Sequence, residues 1–176
     1  MSTHLVYVIS GVAGSGKTTL AHAWAPTMGA AVVDLDVVAA NVVDAALHEH
    51  PEATQWQINA AYRAQRYHCL IDAITAERQS APVMAVAPFT QEISGEAPWA
   101  QFVRAIGGEP VQLVWIHTGA PVLSERIASR GAARDAGRSD AAVSRPPPAM
   151  PHHAVNGERP VPEIVASLRS RFGNEG

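Results

Sequence analysis

The most constraining feature lies near the amino end of the chain, where Gly11-Val-Ala-Gly14-Ser-Gly16-Lys17-Thr18 fits the pattern G-x-x-x-x-G-K-[ST]. An apolar, β-branched run, Leu5–Ser10, precedes it, and a stretch of helical composition, Lys17–Met28, follows. Such a glycine-rich turn between a buried strand and a helix can aim its backbone N–H groups at phosphate oxygens. The helix adds the positive end of its dipole at the same place. Composition sharpens the point. Of thirteen basic residues, only Lys17 is a lysine. Arginine has replaced lysine everywhere except where a compact ammonium group would meet a phosphate.

The rest of the chain alternates between short apolar runs and helical stretches. Strands are expected at Leu5–Ser10, Ala31–Asp34, Pro82–Ala87, Val111–Ile116 and His152–Val155. Helices are expected at Lys17–Met28, Val37–His48, Thr54–Gln79, Trp99–Ile106, Pro121 to about Arg130, and Pro162–Phe172. The alternation predicts an α/β fold with a five-stranded parallel sheet covered on both faces. Ligands would bind beyond the carboxyl ends of the strands. The 176 residues suit one domain, taken here as 1–176. A polar, Arg- and Pro-rich segment at about 131–150 reads as a mobile lid.

Composition excludes several classes. A formal charge of −3 is no footprint for nucleic acid. No apolar run is long enough for a membrane span, and the first residues lack the layout of a signal peptide. These readings predict a cytoplasmic protein, monomer or homodimer, acting on a small molecule. Cys69 is the single cysteine, and no histidine has a metal-ligand spacing, so no zinc site is expected.

The motif predicts ATP and Mg²⁺ as cofactors, with the loop and helix start (Gly11, Ala13, Gly14, Ser15, Gly16, Lys17, Thr18 and Thr19) around the phosphates. Lys17 supplies charge to the β- and γ-phosphates, and the Thr18 hydroxyl is a magnesium ligand. A GTPase would need a second lysine in a guanine-reading motif, and there is none. The strand before Pro88 ends without an acid. The carboxylates in reach are therefore Asp34 and Asp36, in Val33-Asp34-Leu35-Asp36. Either could instead serve the structure: Asp36 as a helix cap, Asp34 as a strand-end residue bonded to the helix after the loop. Arg63 and Arg66, one helical turn apart, could receive an acidic group of a substrate. Phe89, Thr90, Gln91 and Glu92, after the third strand, should face the same cleft and could add an apolar wall and hydroxyl-reading groups. They join helices at about 39–79 in forming the acceptor side.

The glycine-rich loop, Asp34-x-Asp36, and Val122-Leu-Ser-Glu-Arg126-Ile-Ala-Ser-Arg130 leading to Arg134-Asp-Ala-Gly-Arg138 together resemble the small P-loop kinases. The types resembled are shikimate kinase, gluconate kinase and chloramphenicol phosphotransferase, and bacterial AAA-type ATPase/kinase families. The resemblance spans essentially the whole chain and implies a three-layer α/β/α P-loop NTPase fold. It implies transfer of the γ-phosphoryl of Mg–ATP to a hydroxyl of a sugar, sugar acid, aminocyclitol or similar compound. By the same resemblance, Asp36 is the base that takes the hydroxyl proton and Asp34 lies on the magnesium side, with their order left open. Arg130 stacks on adenine against Pro160, and Arg134 or Arg138 reaches the γ-phosphate. Arg126 is an anchor or a second phosphate ligand. Pro88-Phe89-Thr90 departs from the glycine-rich loop of shikimate kinases, which argues against shikimate. Two alternatives remain: a nucleoside or nucleotide kinase, and a nucleotide-binding switch with no transfer substrate.

Overall fold

Strand β1 (Val6–Gly11) is buried along its whole length, which the unbroken apolar run before the glycines requires of a central parallel strand. It pairs in parallel with β3 (Val83–Val86) on one side and β4 (Val111–His117) on the other. Beyond these lie β2 (Ala31–Asp34) and β5 (His153–Asn156), giving the order β2-β3-β1-β4-β5 with every pairing parallel. The computed structural model describes residues 3–130 and 145–173, and of Arg130 only the backbone.

Alternate residues of each strand face opposite layers. Val6 and Val8 of β1, Val83 and Ala85 of β3 and Leu113 of β4 pack on one face. They meet Tyr67, Leu70 and Ile74 of α5 (Arg63–Glu77) and Phe102 of α6 (Glu96–Ala105), with Ile106 just beyond its end. Tyr7, Ile9, Met84, Val86 and Val114 pack on the other, against α1 (Lys17–Met28) and α8 (Val161–Phe172). There Tyr7, Trp24 and Phe172 form an aromatic cluster, with Tyr7 and Trp24 centred 4.6 Å apart. The three layers expected from the alternation are present. No helix among the described residues is long and apolar enough to cross a membrane.

Two expected helices are each a pair. The stretch read as Thr54–Gln79 breaks at Tyr62 into α4 (Gln55–Ala61) and α5. Thr54 and Gln57 form a reciprocal capping box that starts α4. The stretch after β2 breaks at Ala39 into α2 (Leu35–Val38) and α3 (Ala40–Glu49). Helix α6 begins at Glu96 rather than Trp99, with Pro98 tolerated in its first turn. The remaining helix, α7 (Ala120–Arg130), follows β4.

A fully buried arginine ties the amino-end side of the sheet together. Arg78, just past α5, donates to His4 O, Ile106 O and Gly108 O at 2.7–3.2 Å.

Candidate active site

The connections from β1 to β2 and from β3 to β4 run to opposite sides, so a crevice opens beyond the ends of β1 and β3. The phosphate-binding loop fills its floor. Gly14 and Gly16 have φ of 82° and 96°, a left-handed backbone that glycine adopts without strain. Gly16 is the N-cap of α1 and has no side chain to cap it. The first N–H groups of the helix are thus left for a ligand oxygen. Lys17 lies over the loop, its Nζ donating to Gly11 O and Val12 O at 2.8 and 2.9 Å.

The two aspartates have different surroundings. Asp34 is buried and accepts from Thr18 Oγ1 at 2.8 Å and from the Asp36 N–H at 2.9 Å. It is the N-cap of α2 as well as the bond to α1, so the capping role weighed for Asp36 belongs to Asp34. The Thr18 hydroxyl and Asp34 carboxylate, side by side, are hard oxygen donors of the kind magnesium takes. These residues therefore fit a magnesium ion. Asp36 is half exposed and faces the cleft, where Arg66 Nη2 donates to its Oδ1 at 2.8 Å.

The cleft, about 290 Å³, continues from Lys17, Thr18, Asp34 and Asp36 to Trp56, Asn59, Arg63, Arg66, Tyr67, Thr90 and Arg145. Phosphate and acceptor sides are one space. Arg63 and Arg66 reach it, as expected, and each has an anion of the protein beside it. Arg63 Nη2 lies 2.8 Å from both oxygens of Glu92, with its guanidinium 3.9 Å over the Tyr67 ring. Burial lowers the pKa of Arg66, and Asp36 opposes that shift.

Phe89 corrects an expectation. It is fully buried, packed on Tyr67 and Phe102, and does not wall the cleft. Its φ of 49° turns the side chain inward, a strained conformation for a bulky residue. Two hydroxyls pin that turn. Ser10 Oγ donates to Pro88 O at 2.9 Å, and Tyr67 Oη accepts from the Phe89 N–H at 3.0 Å. Burial raises the Tyr67 pKa, so the phenol keeps its proton. Pro88 and Thr90, on either side of Phe89, line the cleft.

Across the loop lies a second cleft of about 260 Å³, lined by Gly14, Thr19, Ile116, Arg126, Gly157, Arg159 and Val161, among others. Arg126 spans it, donating to Gly157 O at 2.9 Å and Gly14 O at 3.4 Å. A Cβ at Gly157 would sit 2.5 Å from Thr118 Oγ1 and 2.8 Å from Ser15 O, so only glycine lets these loops meet. Pro160 is exposed at the N-cap of α8, and its neighbours Arg159 and Val161 line the cleft in its place. The Arg130 side chain, Arg134 and Arg138 lie outside the described residues, as does most of the expected lid.

Sequence reasoning did not single out Asn59 or Arg145 as lining residues, nor Glu92 as the partner of Arg63. For Asn59 a signal existed: the Thr54-x-x-Gln57 capping box starts a short helix whose Trp56 and Asn59 are three residues apart, on one face. For Glu92 no local signal existed, since its partner is 29 residues away.

No curated protein sequence matches this one significantly. Solved structures do. A gluconokinase from Sinorhizobium meliloti 1021 has 17% identity and a TM-score of 0.58, with 100% of this chain and 99% of that one covered. A shikimate kinase from Bacteroides thetaiotaomicron has 16% identity and a TM-score of 0.60, covering 98% and 99%. The Mycobacterium tuberculosis APS kinase CysC, solved with AMPPNP and APS, has 14% identity and a TM-score of 0.65, covering 98% and 99%. At these identities the likeness is one of fold. Residues 6–145 match the family model described as an AAA domain, and with most of the chain so matched the protein belongs to that family.

Proposed function

We propose that the protein is an ATP-dependent kinase that moves the γ-phosphoryl of Mg–ATP to a hydroxyl of a small metabolite or antibiotic. One observation carries this reading: the phosphate loop, the Thr18–Asp34 oxygen pair and the half-exposed Asp36 carboxylate line one cleft. A carboxylate open to the same space as the phosphate loop can orient an attacking hydroxyl.

Bound magnesium would supply charge to the β- and γ-phosphate oxygens, with Thr18 and Asp34 holding it directly or through water. The loop amides and Lys17 hold the phosphates. Asp36, steadied by Arg66, orients the acceptor hydroxyl. The hydroxyl oxygen bonds to the γ-phosphorus as the bond to the β-phosphate bridging oxygen breaks. The hydroxyl proton passes to the Asp36 carboxylate, and ADP leaves with the bridging oxygen. Such transfer depends mainly on positioning and electrostatics, which these residues provide. Arg126 joins the phosphate loop to the β5–α8 connection, and the cleft it spans is the site for the adenine base.

Asp36→Asn tests the assignment. Its kcat should fall about 100-fold or more, while calorimetry finds ATP affinity within about threefold of the parent. An equal loss of both would make Asp36 a nucleotide-side residue. The switch reading draws on Ala87-Pro88, which follow β3 in the cleft without an acid. ADP release that no compound in a metabolite library accelerates would favour it. Acceleration by nucleosides or nucleotides alone would favour that kinase class.

A further inference from the structure

We infer that the acceptor is an uncharged polyhydroxylated compound, such as a polyol, cyclitol or glycoside, and that Glu92 sets this preference by occupying Arg63. The inference rests on the transfer reading above and narrows its acceptor.

Among the described residues, two of the three arginines that line the cleft are already matched by carboxylates of the protein. Arg66 pairs with Asp36 and Arg63 with Glu92, each at 2.8 Å. The Glu92 side chain is only 12% exposed. An acidic substrate would have to draw Arg63 away and leave that carboxylate nearly buried without its cation, a costly exchange. The cation–π contact with Tyr67 holds Arg63 where it is. Taking Arg66 would strip Asp36 of the group that steadies it. Arg145 also lines this cleft but is exposed, where water and salt screen its charge.

A second observation points the same way. Among the described residues, Asn59 Oδ1 and Arg66 Nε are buried without a hydrogen-bond partner. Both residues line the cleft, and Arg66 Nη1 lies 3.4 Å from Asn59 O. One orphan accepts and the other donates. Neither atom is open to the cleft as it stands, and a shift of Asn59 and the Arg66 guanidinium that opened them would offer an acceptor and a donor, which hydroxyl groups match. A lone carboxylate, which only accepts, would match the Arg66 donor alone. Trp56, 40% exposed, gives the ring or carbon face of such a compound a flat apolar surface.

The test uses the full chain with Mg–ATP and two pools of matched hydroxy compounds. One holds neutral polyols, cyclitols and glycosides; the other holds the corresponding aldonic and uronic acids. ADP release should rise at least tenfold more with the neutral pool. With the phosphate loop saturated by a non-hydrolysable ATP analogue and magnesium, calorimetry should find no sugar-acid binding. Glu92→Gln should release Arg63 and shift the neutral-to-acid ratio of kcat/KM at least tenfold toward acids. Glu92→Asp should keep the neutral preference. Preferential stimulation by the acid pool, or sugar-acid binding by the analogue-loaded parent, overturns the inference and leaves the kinase standing. So does a Glu92→Gln protein that binds the analogue normally and shows an unchanged ratio. If neither pool raises ADP release although the analogue binds, this inference falls, and the metabolite-library assay decides separately whether the transfer reading stands.

Discussion

Two residues separate binding from chemistry at the smallest scale. Lys17 bonds the carbonyls of Gly11 and Val12, which holds its ammonium group over the phosphate loop. Lys17→Met should leave the fold intact, because the side chain crosses a surface loop rather than the core. It should lower ATP turnover by about 1,000-fold, since charge on the transferring phosphoryl would lose a cation. Circular dichroism and a coupled ADP assay check both halves, and retained turnover would exclude this loop as the ATP site. Asp36, as the proposed base, would act at the other end of the reaction, and its replacement is expected to affect the chemical step alone.

At the scale of elements, two connections are braced by side chains from elsewhere in the chain. Arg126 on α7 clips the phosphate loop to the turn after β5 through two carbonyls. Arg126→Met removes charge-assisted bonds worth up to about 1.5–3 kcal/mol each. ATP affinity should weaken by about tenfold or more in calorimetry, and the melting temperature should fall by several degrees. Unchanged affinity would make Arg126 a surface residue. The turn after β3 is braced by Tyr67, whose hydroxyl accepts the N–H of the strained, buried Phe89. Tyr67→Phe leaves that N–H without a partner, at about 1–3 kcal/mol of stability. Because Pro88 and Thr90 flank the same turn, the acceptor KM should rise several-fold while ATP affinity holds. A variant with lower stability but unchanged KM would restrict Tyr67 to the core.

The whole molecule is a sheet with its chemistry at one end and its fastening at the other. The candidate cleft lies beyond the carboxyl ends of β1, β2 and β3. At the opposite end Arg78 gathers three carbonyls, from the segment entering β1 and from the end of α6 and the glycine turn after it. Arg78→Met would orphan buried carbonyls and should cost about 3 kcal/mol, or about 10 °C in melting temperature for a chain of this size. Mg–ATP should still bind at temperatures below the new transition, because no Arg78 contact reaches the cleft. A loss of affinity in folded protein would show that the two ends are coupled.

Local order explains what could be read without coordinates. The phosphate loop is eight consecutive residues whose function lies in backbone conformation, so glycine positions and Lys17 disclose it directly. The strand and helix alternation is likewise carried by hydrophobic period, and α1 has the bounds that Gly29 and the loop imply. The breaks at Ala39 and Tyr62 escape such reading, because both halves of each stretch keep a helical pattern.

The side-chain roles at the cleft depended on distance in the chain. Asp34 and Asp36 are interchangeable as letters. Their difference arises because β2 ends beside α1, where Thr18 reaches Asp34, while α5 passes Asp36 and offers Arg66 from 30 residues away. Arg63 looked open to an acidic substrate until the turn after β3 brought Glu92 to it, and Phe89 looked like a cleft wall until its left-handed backbone turned it into the core. Backbone chemistry and hydrophobic period are properties of neighbouring residues and can be read along the chain. Which charges meet, and which side chain a turn hides, follow from the order in which strands pair, and so belong to the folded molecule.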